Sequence, residues 1–399
     1  GGGISVVRGV FPASAERDRV VPGRPVYSRR FRRRDAAGGL PDPSGHNRKL
    51  GAAAVAAESQ SADPVERGQF DPAPDILGHV PAAGRAFFYR CSPRPAVAAG
   101  AIPLFVSPGT VQAAPTSKSK AETTVKKFYE SLSANQKKAV CFGFDHPNRS
   151  KLNPNWHIVD QRIGSSFYEE AQRKLIDQVV KDVSSEDGYE RFKLQMKQDA
   201  RGGFGSYAVA VFGTPGDGNF ELVLTGRHLT LRADGDSVKN MAFGGPIVYG
   251  HGQANPEKNL FHYQTKQANT VYSALDTKQR ESALMPKAPP EGRVPLQGQK
   301  SRFPGIAVGE MSSDQKELVE QSIKVILAPY RTEDVDEALA ILKQGGGLDK
   351  LHMAFYQQGD IKGDKTWDIW RLEGPSFVWH FRGAPHVHTY VNIGLKQDT

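Results

Sequence analysis

Trp367-Asp-Ile-Trp-Arg-Leu-Glu-Gly-Pro-Ser-Phe-Val-Trp-His-Phe-Arg-Gly-Ala-Pro-His-Val-His-Thr-Tyr-Val391 carries the clearest strand pattern of the chain. Two runs with alternating side-chain character, 367–373 and 376–381, flank the dipeptide Gly374-Pro375. Alternation on both sides of a Gly-Pro turn is typical of a β-hairpin. The stretch therefore predicts two antiparallel strands, and the rest of the chain is interpreted around them.

A third run, 386–393, follows the hairpin and contains the pattern His-x-His. Side chains of a strand repeat every two residues, so His386 and His388 are predicted to share one face. Two imidazoles side by side on a rigid strand can bind one divalent metal ion. The stretch thus predicts a metal site without indicating a substrate.

Composition limits how much of the chain can be packed. The chain has 399 residues, 38% of them hydrophobic, with 41 Gly and 27 Pro. That length suits one large domain or two ordinary ones, and the low apolar content predicts an unpacked portion. Cys91 and Cys141 lie far apart and form neither a zinc pattern nor a disulfide framework.

The net charge of +9 is unevenly distributed. Residues 1–95 contain 14 Arg and one Lys against nine acidic residues, so most of the excess lies there. The remainder is close to neutral, which does not support a nucleic-acid-binding surface.

Residues 1–85 lack apolar periodicity and are rich in Gly, Ala, Pro and Arg. Such a segment cannot bury enough apolar surface to offset its ordering entropy, so we expect a disordered, low-complexity extension. Its opening with Gly and its lack of Met fit upstream sequence translated from a start placed too early. The arginine run 29–34 leaves open an arm that binds RNA or a membrane surface.

Residues 86–114 follow the three-part plan of a secretory signal peptide. Arg85, Arg90 and Arg94 surround its start, the apolar run 96–106 follows, and small residues at 111–115 suit cleavage. We therefore expect export to the periplasm or cell envelope, with no stable membrane insertion after cleavage. A loop or buried helix is the alternative, and the choice between the Tat and Sec routes stays open.

From residue 116 to 399 the chain has the pattern of an α+β domain. Three similar helix starts occur, at Ser133-Ala-Asn-Gln136, Asp276-Thr-Lys-Gln279 and Ser312-Ser-Asp-Gln315, each resembling a capping box. The block that begins at 207 also parallels the C-terminal hairpin, with His228 in the place of Ser376. We therefore predict two related helix-plus-antiparallel-sheet units packed around a shared cleft. The predicted helices include 121–131, 168–183 and 188–198; the predicted strands are 207–212, 220–225, 227–232 and 237–242; irregular loops are predicted at 244–252 and 286–304.

A combination of short motifs resembles the bacterial family catalogued as domain of unknown function 3500. The motifs are Phe212-Gly, Gly226-x-His-Leu-Thr-Leu231, Glu373-Gly-Pro-Ser-Phe377 and Pro385-His-Val-His388. The likeness covers about residues 120–395. It implies a domain boundary, candidate residues and frequent export, but no reaction. Members often have Asn before the His-x-His segment, whereas this chain has Ala384-Pro385.

The first functional hypothesis is an exported metal-dependent enzyme, a hydrolase or an oxidoreductase. Imidazole nitrogens suit Zn, Fe and Cu, and two or three of them leave an open coordination position. A bound zinc ion would activate water for hydrolysis, whereas iron or copper would favour oxidation. The predicted metal ligands are His228, His386, His388 and His251; Glu373 is the candidate base or ligand, and Arg227 the residue that orients an anionic group.

The second hypothesis is a non-catalytic exported protein that binds a carbohydrate or a peptide through Trp370 and Trp379. Against both hypotheses stand ordinary structural roles: histidines exposed on a strand face or hydrogen-bonded within the sheet, and tryptophans in the core. Either hypothesis implies a small-molecule or glycan ligand, and the sequence indicates no oligomeric state.

Overall fold

A computed structural model describes residues 114–360 and 363–396 of the chain. The predicted extension at 1–85 and almost all of the signal-like segment lie outside the described residues. The described part contains eight α-helices and eleven β-strands. In chain order these are α1 Lys120–Ser131, α2 Ala134–Val140, β1 Cys141–Phe142, α3 Glu170–Asp182, α4 Glu186–Asp199, β2 Ala208–Gly213, β3 Phe220–Gly226, β4 Leu229–Ala233, β5 Ile247–His251, α5 Tyr263–Ala274, α6 Thr277–Ala283, β6 Leu284–Met285, β7 Ile306–Ala307, α7 Ser313–Leu327, α8 Thr332–Gln344, β8 His352–Tyr356, β9 Ile369–Gly374, β10 Phe377–Arg382 and β11 Val387–Ile393.

The three predicted capping boxes are confirmed. Ser133, Asp276 and Ser312 are the N-cap residues of α2, α6 and α7, and each side chain accepts a hydrogen bond from the backbone N–H three residues on. The glutamine at that third position returns its side chain to the backbone N–H of the N-cap. Each helix start therefore satisfies N–H groups that have no partner inside the helix.

The capping glutamines also join neighbouring helices in the same way twice. Gln136 Nε2 donates to Gln172 Oε1 at 2.8 Å, and Gln279 Nε2 donates to Gln315 Oε1 at 3.0 Å. Each pair is 36 residues apart in the chain. In each pair the two side-chain amides are hydrogen-bonded to each other where two helix N-termini meet. The same contact therefore occurs once in each half of the domain.

All eleven strands belong to one sheet. Its order is β1-β2-β3-β4-β5-β11-β10-β9-β8-β6, with β7 paired to β8 outside this path. The neighbours are antiparallel except for β1 with β2 and β6 with β8. The fold is therefore α+β, as predicted. The two groups of strands join edge to edge through β5 and β11 instead of facing each other across a cleft. Apart from β7, which has no counterpart in the first group, the order of helices and strands is the same on both sides of that junction.

The two faces of the sheet are covered differently. All eight helices pack on one face, where they share the main hydrophobic core with inward-facing strand residues such as Tyr249 and Trp379. Irregular chain covers the other face, including Ile158 over β2 and β3 and Val294 over the centre of the sheet. No helix in the described part combines the length and apolar character needed to span a bilayer.

The C-terminal hairpin is confirmed and one predicted strand is wrong. The pair Gly374↔Phe377 closes the hairpin, as Gly226↔Leu229 closes its counterpart in the first half. The predicted strand at 237–242 is not formed: Asn240 adopts a positive φ angle of 60°, which a strand does not accommodate, and a 3-10 turn begins at Ala242. The strand lies instead at β5, in the stretch predicted to be a loop, where all five residues are buried.

Buried carboxyl groups occur where helix α8 packs on the sheet. Burial, followed by the charge of Glu221, raises the pKa of Asp234 to about 9. Burial and neighbouring Asp334 likewise raise the pKa of Glu337 to about 8. A folded state with raised carboxyl pKa values binds more protons than the unfolded chain, so this contribution to stability is present below about pH 4 and is lost as the pH rises towards 9.

Replacing Asp234 with Asn is expected to reduce this loss. The free energy of unfolding of wild-type protein should fall between pH 5 and 9 by at least about 1 kcal/mol more than that of Asp234→Asn, since one pKa unit corresponds to about that amount. Urea unfolding at the two pH values measures the difference. Exposed Asp217 offers the matched control, because Asp217→Asn should leave the pH dependence unchanged. Parallel curves for wild type and Asp234→Asn would contradict the assignment.

Candidate metal centre

The sheet register brings the two histidine segments together. Leu229 of β4 pairs with Tyr249 of β5, and Tyr249 pairs in turn with Thr389 of β11. His228 and His388 each precede a member of this row, so both lie opposite the next residue of β5, Gly250. Strands two places apart in a sheet are about 9.6 Å apart. Since Gly250 has no side chain between them, the two imidazoles can lean towards each other.

His228 occupies the two-residue turn between β3 and β4. Its φ angle is 57°, a left-handed conformation that is uncommon for residues other than glycine. Its backbone N–H donates to the carbonyl of Pro154 at 2.6 Å, and its ring Nδ1 lies 2.7 Å from Oδ2 of Asp199. Strained backbone held by surrounding bonds is a feature of functional sites. These contacts point the remaining ring nitrogen, Nε2, away from Asp199.

Asp199 ends helix α4 and anchors His228. Its Oδ2 also accepts from Gln195 Nε2 at 2.7 Å, and its Oδ1 accepts from the Gly252 N–H at 2.8 Å. Burial alone would raise the pKa of Asp199, but these hydrogen bonds and the one to His228 lower it. The carboxylate is therefore ionised at neutral pH. It fixes the ring orientation of His228, whose side chain is 4% exposed.

His388 has a carboxylate partner of the same kind. Its ring Nδ1 lies 3.3 Å from both oxygens of Glu291, which belongs to the long loop over the sheet. Arg382 is paired with His388 in the β10–β11 register and places its Nε 3.5 Å from Glu291. Burial would raise the pKa of Glu291, but the hydrogen bond and charge of His388 and the charge of Arg382 lower it. An ionised Glu291 thus holds His388 as Asp199 holds His228.

The three imidazoles form one cluster. The ring centroids of His228 lie 5.0 Å from His386 and 4.8 Å from His388, and the latter two are 4.8 Å apart. One ligand nitrogen from each ring lies within 4.8 Å of the other two. The predicted convergence of residues 228, 386 and 388 is therefore confirmed. His386 is half-buried while the other two are buried, so the cluster opens towards solvent on the His386 side.

The Nε2 atoms of His386 and His388 lie 3.0 Å apart, a hydrogen-bonding distance at which the donor and the acceptor depend on the ring tautomers. Arg382 Nη2 lies 3.3 Å from Nε2 of His386, and Nδ1 of His388 faces the ionised Glu291. With its proton on Nδ1, His388 has a lone pair on Nε2 directed at His386. A metal ion with bonds of about 2.0–2.1 Å to both rings would take the place of this direct contact.

The local electrostatics keep these rings neutral. Burial, followed by the charges of His388, Arg382 and other neighbours including Arg227, lowers the pKa of His386 to about 4. Burial also lowers the pKa of His388, although Glu291 opposes that shift. Neutral imidazole is the form that binds metals, so the two rings are ready to act as ligands at neutral pH.

His251 and Glu373, two other residues predicted to serve the site, are placed elsewhere. His251 pairs with Val387, so its side chain lies on the opposite sheet face from His388, and its Nδ1 accepts from the Leu260 N–H at 3.1 Å. Glu373 lies near the far end of β9 and accepts from Arg371 Nη1 at 3.3 Å. The structure does not bring Glu373 to the histidines, because β9 and β11 place it several residues further along the sheet.

Trp370 and Trp379 lie in the hydrophobic core. Both are 0% exposed, their ring centroids are 3.9 Å apart, and Trp370 also stacks on Phe381. These side chains are covered by the helices and present no surface to a ligand. Arg227, in contrast, is exposed at the turn beside His228, and its predicted role in orienting an anionic group stays a prediction.

Sequence reasoning missed three members of the site: Asp199, Glu291 and Arg382. Asp199 is 29 residues from His228 and Glu291 is 97 residues from His388, so no local pattern links these partners. Arg382 could have been found from the sequence, because an antiparallel pairing of the strand 376–381 with the strand 386–393 places Arg382 opposite His388. The carboxylates complete two carboxylate–histidine pairs, an arrangement that orients metal ligands and raises their basicity.

Removal of the Asp199 carboxylate tests this arrangement. Asp199→Asn should lower divalent metal affinity by about 10- to 100-fold, because a ring no longer held by a carboxylate is a weaker and less oriented ligand. Competition with a chromophoric chelator measures the affinity. Asp187→Asn, on the exposed side of the same helix, is the matched control and should bind as wild type does. Equal affinities for both variants would show that Asp199 has no role in metal binding.

The fold and the cluster together define an α+β protein with a candidate three-histidine metal centre. A family model described as "Protein of unknown function (DUF3500)" matches residues 114–393, and the chain belongs to that family. No curated protein matches the chain. No solved structure matches it either.

Proposed function

We propose that the protein is a metal-dependent hydrolase that binds one divalent cation through His228, His386 and His388. The observation that carries the proposal is the convergence of one ligand nitrogen from each of these three rings within 4.8 Å, with His228 and His388 oriented by the carboxylates of Asp199 and Glu291. Three protein ligands with one open position are typical of catalytic rather than structural zinc sites.

The charge of the ligands favours hydrolysis over oxidation. Three neutral imidazoles leave the full double charge on the cation, which makes it a strong Lewis acid and lowers the pKa of a bound water to about 7. The described carboxylates nearest the ligands, Asp199 and Glu291, are engaged by imidazole nitrogens. Their role in the proposal is to position the rings, and the cation itself supplies the activation of water.

The surroundings of the cluster favour an anionic substrate. Arg382 reaches to 3.3 Å from His386 Nε2, so its guanidinium lies beside a ligand nitrogen of the proposed centre. Arg227 adds a second positive charge near His386. Guanidinium groups bind carboxylates and phosphates through paired hydrogen bonds. A substrate with an oxyanion group next to its scissile bond therefore suits this site better than a neutral one.

The alternative of a carbohydrate- or peptide-binding protein has less support. It depended on an exposed aromatic surface at Trp370 and Trp379, and both side chains are fully buried. No feature of the described residues favours it over the metal centre.

Hydrolysis assays with defined metal content test the proposal. Chelator-treated protein would be reconstituted with Zn²⁺, Mn²⁺ or Fe²⁺ and assayed with 4-nitrophenyl phosphate, with the anionic ester 4-nitrophenyl succinate and with neutral 4-nitrophenyl acetate. We expect at least one reconstituted form to hydrolyse an anionic substrate at least about 100-fold faster than the metal-free protein. Rates that are equal with and without metal for all substrates would overturn the proposal.

We also propose that the protein is exported to the periplasm or cell envelope. The support is the signal-like order of basic, apolar and small residues across 86–114, which lies almost wholly outside the described part. Mass spectrometry of the protein isolated from its native cells gives the mature N-terminus. A first residue between 112 and 116 in an envelope fraction is expected, and an uncleaved cytoplasmic protein would contradict export.

A further inference from the structure

A groove with a cavity volume of about 290 Å³ includes Arg227, the residue before His228, in its lining. This volume approaches the lower end of the range for small-molecule sites, about 300–1,000 Å³. The groove lies between the loop that carries Asn155, His157 and Arg162 and the β3–β4 turn that carries Arg227. The polar residues that line it are Asn155, His157, Arg162, Ser206, Tyr207 and Arg227.

The lining is positively charged and has no counter-charge of its own. None of the described residues that line the groove is acidic. Among the described residues, Arg162 donates only to the backbone carbonyls of Val159 and Asp160, and the Arg227 side chain makes no hydrogen bond or ion pair. Burial, followed by the charge of Arg162, lowers the pKa of His157, so the lining favours neutral imidazole beside the arginines. Two guanidinium groups without carboxylate partners thus face one cavity.

The groove is joined to the metal centre by direct hydrogen bonds. Tyr207 Oη donates to the Arg227 carbonyl at 2.6 Å, and Gln195 Nε2 donates to the same carbonyl at 2.9 Å. Gln195 also contacts Asp199, the carboxylate that holds His228. Arg227 immediately precedes His228, so the groove and the histidine cluster share the β3–β4 turn.

We propose that this groove is an oxyanion subsite that binds the carboxylate or phosphate group of the substrate through Arg162 and Arg227, while the metal centre acts on the neighbouring bond. That the bound anion is a substrate rests on the proposed function. Anion binding by the two arginines does not, because it needs no metal. Hydrogen-bond donors from Asn155 and Ser206 at the rim would select oxygen-rich groups over halide ions.

The experiment measures anion binding to chelator-treated protein by isothermal titration calorimetry, with inorganic phosphate and with succinate as probes. We expect saturable binding of at least one of them, and a dissociation constant raised at least tenfold in Arg227→Gln and in Arg162→Gln. Arg227 is exposed and has no described partner, so its substitution should not disturb folding. If Arg162→Gln fails to fold, Arg227→Gln still decides the result. Exposed Arg302 lies outside the groove, and Arg302→Gln is the matched control with unchanged binding.

The outcomes separate the two proposals. Anion binding that is lost in the groove variants, in a protein that never binds metal, would support the subsite and refute the metalloenzyme. Metal binding without any effect of Arg162→Gln or Arg227→Gln on phosphate and succinate would refute the subsite alone. Phosphate binding without succinate binding would identify the substrate group as a phosphate, and the reverse would identify a carboxylate.

Discussion

The double substitution His386→Ala/His388→Ala is expected to abolish stoichiometric metal binding by the purified protein. The two residues supply two of the three ligand nitrogens that lie within 4.8 Å of one another. Loss of a single carboxylate behind a ligand lowers metal affinity by about 10- to 100-fold, so loss of two ligands should exceed about 1,000-fold. Elemental analysis after equilibrium dialysis, with protein that carries no polyhistidine tag, measures the bound metal per chain.

A histidine-count control separates the cluster from weak surface binding. His146→Ala/His352→Ala removes the same number of imidazoles from positions outside the cluster and should retain the wild-type metal content. Circular dichroism of both double variants would establish that they are folded. Retention of one metal ion per chain in the His386→Ala/His388→Ala protein would show that the cation is bound elsewhere.

Glu122→Ala is expected to give the largest loss of stability among single substitutions of charged residues. Glu122 is 0% exposed and accepts two hydrogen bonds from Arg331, at 2.9 and 2.7 Å. The pair joins α1 of the first half to the N-cap of α8 in the second, 209 residues away. Removing the carboxylate leaves a buried guanidinium with Asp334 as its remaining acidic partner. Breaking a buried pair from one side costs about 3–5 kcal/mol.

Denaturant unfolding followed by circular dichroism gives the free energy of unfolding of this variant. Glu170→Ala serves as the surface comparison, since Glu170 is 74% exposed, its partner Lys174 is 75% exposed, and such pairs contribute little to stability. A loss for Glu122→Ala no greater than that for Glu170→Ala would mean that the buried pair does not hold the two halves together. The proposed metal site does not depend on this result.

The local elements of the fold could be predicted because their causes are local. The cap at Ser133 and the hairpin at Gly374 each follow from a few neighbouring residues, and the structure places both as predicted. The strand at 247–251 was missed because its Gly- and Pro-rich surroundings resemble a loop. It forms because β4 and β11 both supply a partner, and that pairing with sequence-distant strands has no local signature.

In the candidate site, too, the features with local causes could be predicted and those that depend on strand order could not. His386 and His388 were predicted to share a face from strand periodicity alone. The approach of His228 depends on the order β4-β5-β11, and a glycine at position 250 is needed between the rings. Periodicity cannot supply a strand order. The predicted correspondence between His228 and Ser376 matches the structure, because each is the second residue of a two-residue turn between antiparallel strands.

Anomalous X-ray diffraction at the absorption edge of the reconstituted metal tests the central claim most directly. The account predicts one strong anomalous peak per chain, about 2.0–2.2 Å from a ring nitrogen of each of His228, His386 and His388. Asp199 and Glu291 should remain on the opposite ring nitrogens of His228 and His388. A fully loaded crystal with no peak among these three rings, or with its strongest peak at another site, would contradict the proposed metal centre.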